Sequence, residues 1–109
     1  MSNELTKSQK RCLRELAALA YERELGAELG KVEAEFGRWR RGEIDAHALE
    51  DAIHKFHNGP ARQLYSLYTG GMLEWVAAGA VARGVVSAAE IPQEICDVVG
   101  RYTQPRVQS

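Results

Sequence analysis

TKSQKRCLRELAALAYERELGAELGKVEAEFGRWRR, residues 6–41, contains no proline and consists mostly of Leu, Ala, Glu, Lys and Arg. These residues lose little on entering a helix. Thr6 followed three residues later by Gln9 has the form of a capping box, in which each side chain satisfies the other residue's free amide. Apolar residues recur at Leu13, Leu16 and Ala20, then at Leu25, Leu29, Val32, Phe36 and Trp39. The second set is spaced by four and three, which is a helical stripe. At 1.5 Å per residue an unbroken helix over 6–41 would be roughly 50 Å long. A domain of this size is only roughly 26–28 Å across. The helix is therefore expected to project, bend or pair with another chain. Gly26, Gly30 and Gly37 are its weak points. They fall near one face with Cys12 and Leu19, and such a face admits the close approach of another helix. The reading favours one long helix over two shorter ones divided near residues 26–30.

Working outward, Gly42 ends this segment and Asp45 is placed to cap the next, with Ile44 stapling onto Leu49. Leu49, Ile53 and Phe56 form the stripe of a helix over 45–58, which Asn58-Gly59 is expected to close in the left-handed conformation. Pro60, well suited to a first helical position, opens a helix over 60–69 that carries Leu64, Tyr65 and Tyr68. Thr69-Gly70-Gly71 stops it. Residues 72–83 are apolar almost all round, which predicts a helix at the centre of a bundle. Gly84 closes that helix, and Ser87 with Glu90 forms a second capping box. Pro92 then opens a helix over 92–101 through Ile95, Val98 and Val99. Residues 103–109 read as a frayed tail, and no segment reads as a strand. The predicted fold is all-α and a single domain: about five helices, one long N-terminal helix packed with four shorter ones in a bundle whose short loops favour antiparallel neighbours.

Composition narrows the function classes. The 109 residues suffice for one domain. The 45% hydrophobic and 27% charged fractions are those of globular chains, which sets disorder aside. A formal net charge of −1 disfavours a dedicated nucleic-acid binder, which needs a local excess of Lys and Arg. Cys12 and Cys96 have no CxxC spacing, and the first fifteen residues lack an apolar run. The longest apolar stretch, 72–82, contains Glu74 and falls well short of the roughly 20 residues that span a bilayer. The expectation is a cytoplasmic protein, not in a membrane, with both thiols reduced.

Three constellations have chemical potential. His47, Asp51 and His54 follow the spacing i, i+4, i+7, which puts an imidazole pair and a carboxylate on one helix face as candidate metal ligands. Glu50, His54 and His57 repeat the spacing. Opposed to both sets, Leu49, Ile53 and Phe56 claim the buried face. The second constellation is His57 with Arg62 across the Gly59-Pro60 corner; a helix N-terminus opening there would offer free amides to an anion, and Arg62 a fork of donors. The third is the basic pair of ends on the long segment, Arg38, Arg40 and Arg41 around Trp39 and Lys7, Lys10, Arg11 and Arg14. The intervening glutamates between Glu22 and Glu35 break the continuous basic stripe that groove binding would want. Tyr65, Tyr68, Trp75 and Tyr102 read as core or interface aromatics rather than a cofactor stack. Ser66, Ser87 and Cys96 have no base at a suggestive spacing. No catalytic residue and no cofactor is therefore expected.

The leading expectation is a small protein-binding or regulatory module that self-associates, with Leu25, Leu29, Val32, Phe36 and Trp39 as its interface. A two-fold homodimer is the expected form, with a further, unidentified protein as a second partner. The alternatives are a metal-binding bundle or small enzyme at His47, Asp51 and His54, and a nucleic-acid-associated factor using the basic ends.

Overall fold

The computed structural model describes residues 4–103. Its regular structure is entirely helical, as the sequence predicts. Helix α1 spans Lys7–Arg40 without a break. At its start the Thr6 backbone amide donates to Gln9 Oε1 at 3.0 Å and the Gln9 amide donates to Thr6 Oγ1 at 3.0 Å, which is the reciprocal capping box. At its end Gly42 has φ +76°. The Glu43 amide donates to the Arg38 carbonyl at 2.8 Å and the Gly42 amide to the Trp39 carbonyl at 3.0 Å. This pair of bonds satisfies two of the carbonyls that the helix leaves open, and it needs a left-handed residue at Gly42.

Helix α2, Ala46–Phe56, begins where Asp45 Oδ1 accepts from the Ala48 amide at 2.8 Å. The expected stop at Asn58-Gly59 does not occur. Gly59 lacks the positive φ that would end the helix, and the chain continues through a π turn, His57–Ala61, into α3, Arg62–Thr69. Pro60 lies inside that turn. Its ring would collide with the carbonyl four residues back in a regular helix and it has no amide to donate, so the wider π turn is how the helix accommodates it. The two helices expected over 45–58 and 60–69 are thus one rod, and the predicted five helices become four.

Helix α4, Leu73–Ala82, ends in a second left-handed glycine, Gly84, at φ +77°. Ser87 and Glu90 form the predicted box, but on a short 3₁₀ turn, Ala88–Glu90. Pro92 precedes another such turn, Gln93–Ile95, so the last helix, α5, starts later than expected and spans Cys96–Thr103. The expected tail lies, past Thr103, outside the described residues.

The chain divides into two compact units. The first comprises the N-terminal part of α1 as far as Tyr21 together with the described residues from Gly71 onward. Its core is Leu13, Leu16, Ala17 and Ala20 of α1, Val76, Ala77, Ala78 and Ala80 of α4, Val98 and Val99 of α5, and Val86 and Ile95 from the connections. Small side chains on α4 let α5 lie close against it. Contrary to the expectation of burial on every side, α4 exposes Trp75, which meets Tyr102 edge-on with ring centroids 4.8 Å apart. A polar clasp ties the start of α1 to the turn before α5: Ser8 Oγ donates to Glu94 Oε1 at 2.8 Å and Gln9 Nε2 to the Glu94 carbonyl at 3.1 Å.

The second unit, Glu22–Gly70, is a helical hairpin. The rest of α1 runs antiparallel to the rod made by α2, the π turn and α3. Tyr68 Oη donates to Glu24 Oε2 at 2.7 Å at one end. Further along, Glu28 lies across from Pro60, and Val32 and Glu35 across from Ala52 and Phe56.

The glycines of α1 and its cap respond oppositely to a methyl group. A Cβ at Gly26 would meet nothing within 4 Å, so Gly26→Ala should stabilise the protein by about 0.5–1 kcal/mol through helix propensity. Gly42→Ala forces a side chain into the left-handed region and should destabilise it by about 1–2 kcal/mol. Urea denaturation of the two variants checks both signs.

Candidate interaction surface

Burial is distributed very unevenly between the two units. Among the described residues, the only buried apolar side chain of Glu22–Gly70 is Leu49. It sits on the inner face of α2, and Asp45 fixes that face by capping the helix. The hairpin leaves Leu29 47% exposed, Trp39 42%, Leu67 42% and Tyr65 62%. The predicted interface set therefore divides. Leu25, Val32 and Phe36 are half-buried against the hairpin, whereas Leu29 and Trp39 stand in solvent. An open groove on α1 runs past Leu29, Val32, Glu33, Phe36, Gly37 and Arg40, and all of its lining comes from that one helix.

The histidine constellation does not assemble into a metal centre. His47, Asp51 and His54 are all exposed on α2. Asp51 pairs with Lys55 at 2.9 Å, and His54 Nε2 lies 3.6 Å from Glu50 Oε1. Among the described residues no three His, Cys, Asp or Glu side chains come together in a set that could hold a metal ion. The inward face of α2 belongs to Leu49, Ala52 and Phe56, whereas Ile53, expected on that face, is exposed; among the described residues the polar face meets no second helix that could complete a site.

The anion corner loses its basis as well. Its premise was a helix opening at Pro60 with free amides, but the backbone is helical from Ala46 to Thr69. The His57 amide donates to the Ile53 and His54 carbonyls and the Arg62 amide to the Gly59 carbonyl. His57 and Arg62 are both exposed, on the outside of a continuous rod.

At the end of α1 the basic cluster is locally compensated. Arg38 lies 3.2 Å from Glu35 and 3.7 Å from Glu43, and Arg41 bonds to Glu43 as well. The hydrogen bond from Arg41, reinforced by the charges of Arg41 and Arg38, holds the Glu43 carboxyl below the usual carboxylate range. The same bond raises the Arg41 guanidinium. Two of the three arginines thus serve the turn that ends α1, and little positive charge is left to face a phosphate backbone. Arg40 is the exception, and it lines the groove on α1.

Cys12 shows what sequence reading could not reach. Its thiol donates to Glu94 Oε1 at 3.4 Å, within the clasp that Ser8 and Gln9 complete. Desolvation, the hydrogen bond to Glu94 and the charges of Glu94 and Glu15 raise its pKa above the ordinary thiol value. Partners so distant in the chain leave no local signal. The Tyr68–Glu24 bond was hidden for the same reason. Cys96 is an exposed free thiol bonded to the carbonyls of Pro92 and Ile91.

No protein-family model, curated protein or solved structure matches this chain.

Two outcomes test the site assignments. Zinc should leave the melting temperature unchanged, since no donor set converges; a rise of several degrees at stoichiometric zinc would reinstate His47, Asp51 and His54 as ligands. For Cys12 the folded pKa lies above the unfolded one, so folding holds the proton on sulfur and the thiolate appears only at higher pH in the native protein. Glu94→Gln removes a carboxylate that opposes ionisation and should speed Cys12 alkylation by iodoacetamide by about two- to threefold near pH 8. Peptide mass spectrometry reads Cys12 separately from Cys96. An unchanged rate would mean that the carboxylate does not control the thiol.

Proposed function

We propose that this chain is a protein-interaction module whose first partner is a second copy of itself, and that residues 22–70 form the associating surface. The observation that supports this reading is the single buried apolar side chain, Leu49, in a hairpin that presents Leu29, Trp39, Tyr65 and Leu67 to solvent. Two helices that bury so little between them gain only a modest hydrophobic stabilisation from each other. Covering those side chains with another protein surface supplies the missing burial. Exposed large apolar side chains mark an association surface more often than they mark an enzyme site.

A catalytic reading has no comparable support, because the exposed histidines of α2 converge with no carboxylate set. The interface runs along α1 through Leu25, Leu29, Val32, Phe36 and Trp39, with Leu29 and Trp39 as its most available anchors. Gly26 and Gly30, with nothing within 4 Å of an added Cβ, leave room for a helix to approach closely beside Leu29.

Sedimentation velocity across a concentration series tests the reading. The expected result is a monomer–dimer equilibrium with a dissociation constant in the micromolar range or tighter, weakened about tenfold or more by Leu29→Asp. Leu29 is half exposed in the single chain, so the variant should retain its helical circular dichroism. A species that remains monomeric up to about 100 μM, where even weak specific dimers are populated, would overturn the proposal.

A further inference from the structure

We infer that the second copy docks antiparallel on the groove of α1, about a two-fold axis that passes between Phe36 and Gly37. This rests on the self-association reading above and adds its geometry. Three observations carry it. The groove is lined entirely from one helix, through Leu29, Glu33, Phe36 and Arg40 among others, and is open on its opposite side. These four residues are spaced by four, three and four, the rhythm of a seam that receives another helix. The groove also contains one acid and one base, Glu33 and Arg40, and neither enters an ion pair among the described residues.

The charges select both the occupant and its direction. Glu33 and Arg40 lie two helical turns apart, about 10 Å along the axis. In a two-fold antiparallel pair each residue i of one chain faces a residue j of the other, and j faces i. Placing the axis between Phe36 and Gly37 sets Glu33 against the partner's Arg40 and Arg40 against the partner's Glu33. A parallel pair would instead set Glu33 against Glu33 and Arg40 against Arg40, which is repulsive at both positions. The charged groove is therefore complementary to itself only when the second copy is reversed. Phe36 supplies the apolar contact between the two ion pairs, Leu29 lies one turn outside them, and the aliphatic stems of Glu33 and Arg40 extend the contact.

Charge reversal tests both direction and partner. Glu33→Arg makes the groove doubly positive and Arg40→Glu makes it doubly negative. Each single variant should dimerise about tenfold more weakly than the parent at low ionic strength. An equimolar mixture of the two should recover parent-like association as a heterodimer, because each doubly charged groove now meets its opposite. The chain carrying both E33R and R40E should dimerise as the parent does. The exposed positions and unchanged circular dichroism exclude a folding defect. If the parent dimerises but the single variants match it, or if the mixture fails to recover, the antiparallel pairing is wrong while self-association stands. If the parent is monomeric throughout, self-association falls and the pairing with it.

Discussion

Helix α1 is one uninterrupted ladder of backbone hydrogen bonds from Lys7 to Arg40, and both compact units are built on it. In its first part, Leu13, Leu16, Ala17 and Ala20 face the core that α4 and α5 complete. In its second part, Val32 faces the rod that follows Asp45, and Leu25 and Phe36 are half-buried. Between Ala20 and Leu25 the three-and-four spacing gives way to a step of five, so no single apolar face runs the length of the helix. A helix with one stripe would support one layer of packing; this one carries two successive stripes and serves two neighbourhoods. Its ends are fixed chemically, by the Thr6–Gln9 box and by the left-handed Gly42, so the register of each stripe on its own unit is set by the same element.

The two units differ in what completes them. The first has a continuous set of buried side chains and the Glu94 clasp, in which one acidic residue takes hydrogen bonds from Ser8, Gln9 and Cys12. Desolvation, and after it the carboxylate that locks the clasp, raise the Cys12 pKa above the ordinary thiol value, which makes the cysteine there a weaker nucleophile than a free thiol. The second unit depends on Leu49, the Tyr68–Glu24 hydrogen bond and partly covered side chains. Its polar outer face is laced with local pairs such as Glu28–Lys31 and Asp51–Lys55, each worth only a few tenths of a kcal/mol on an exposed helix.

Much of this fold was legible because local chemistry decided it. The caps at Thr6, Asp45 and Ser87 and the stops at Gly42 and Gly84 all act within a few residues of themselves, and all occur as read. The failures lie where local signals conflict. Asn58-Gly59-Pro60 contains residues that commonly end one helix and start another, yet the covered face of Leu49, Ala52 and Phe56 continues into Leu64 and Tyr68. Packing of that continued face against α1 prevails over the turn residues, and the π turn absorbs Pro60. The histidines illustrate a related limit: spacing along α2 places them on one face but cannot say whether that face meets another element. The stripe of Leu25, Leu29, Val32, Phe36 and Trp39 was legible; that Leu25, Val32 and Phe36 would be half-buried while Leu29 and Trp39 stay exposed was not, because cover is a property of the whole packing.

On the proposed reading, folding and association draw on the same free energy. The hairpin's apolar side chains are only partly covered within one chain, so a second copy binds the folded hairpin and not its unfolded form. Mass action then stabilises that unit as protein concentration rises. The ungainly length of α1 has a physical use in this arrangement. A helix confined to one core would end near Tyr21, where the buried stripe of the first unit stops; the remaining turns belong to the second unit and carry its glycines and charged groove. Glu33 and Arg40 then discriminate among partners more than they add affinity, since exposed charges contribute little attraction but penalise a wrongly directed neighbour. Affinity on this surface comes from Leu29 and Phe36, and direction comes from the two charges, so an exchange of either pair of residues should alter one property while leaving the other largely intact.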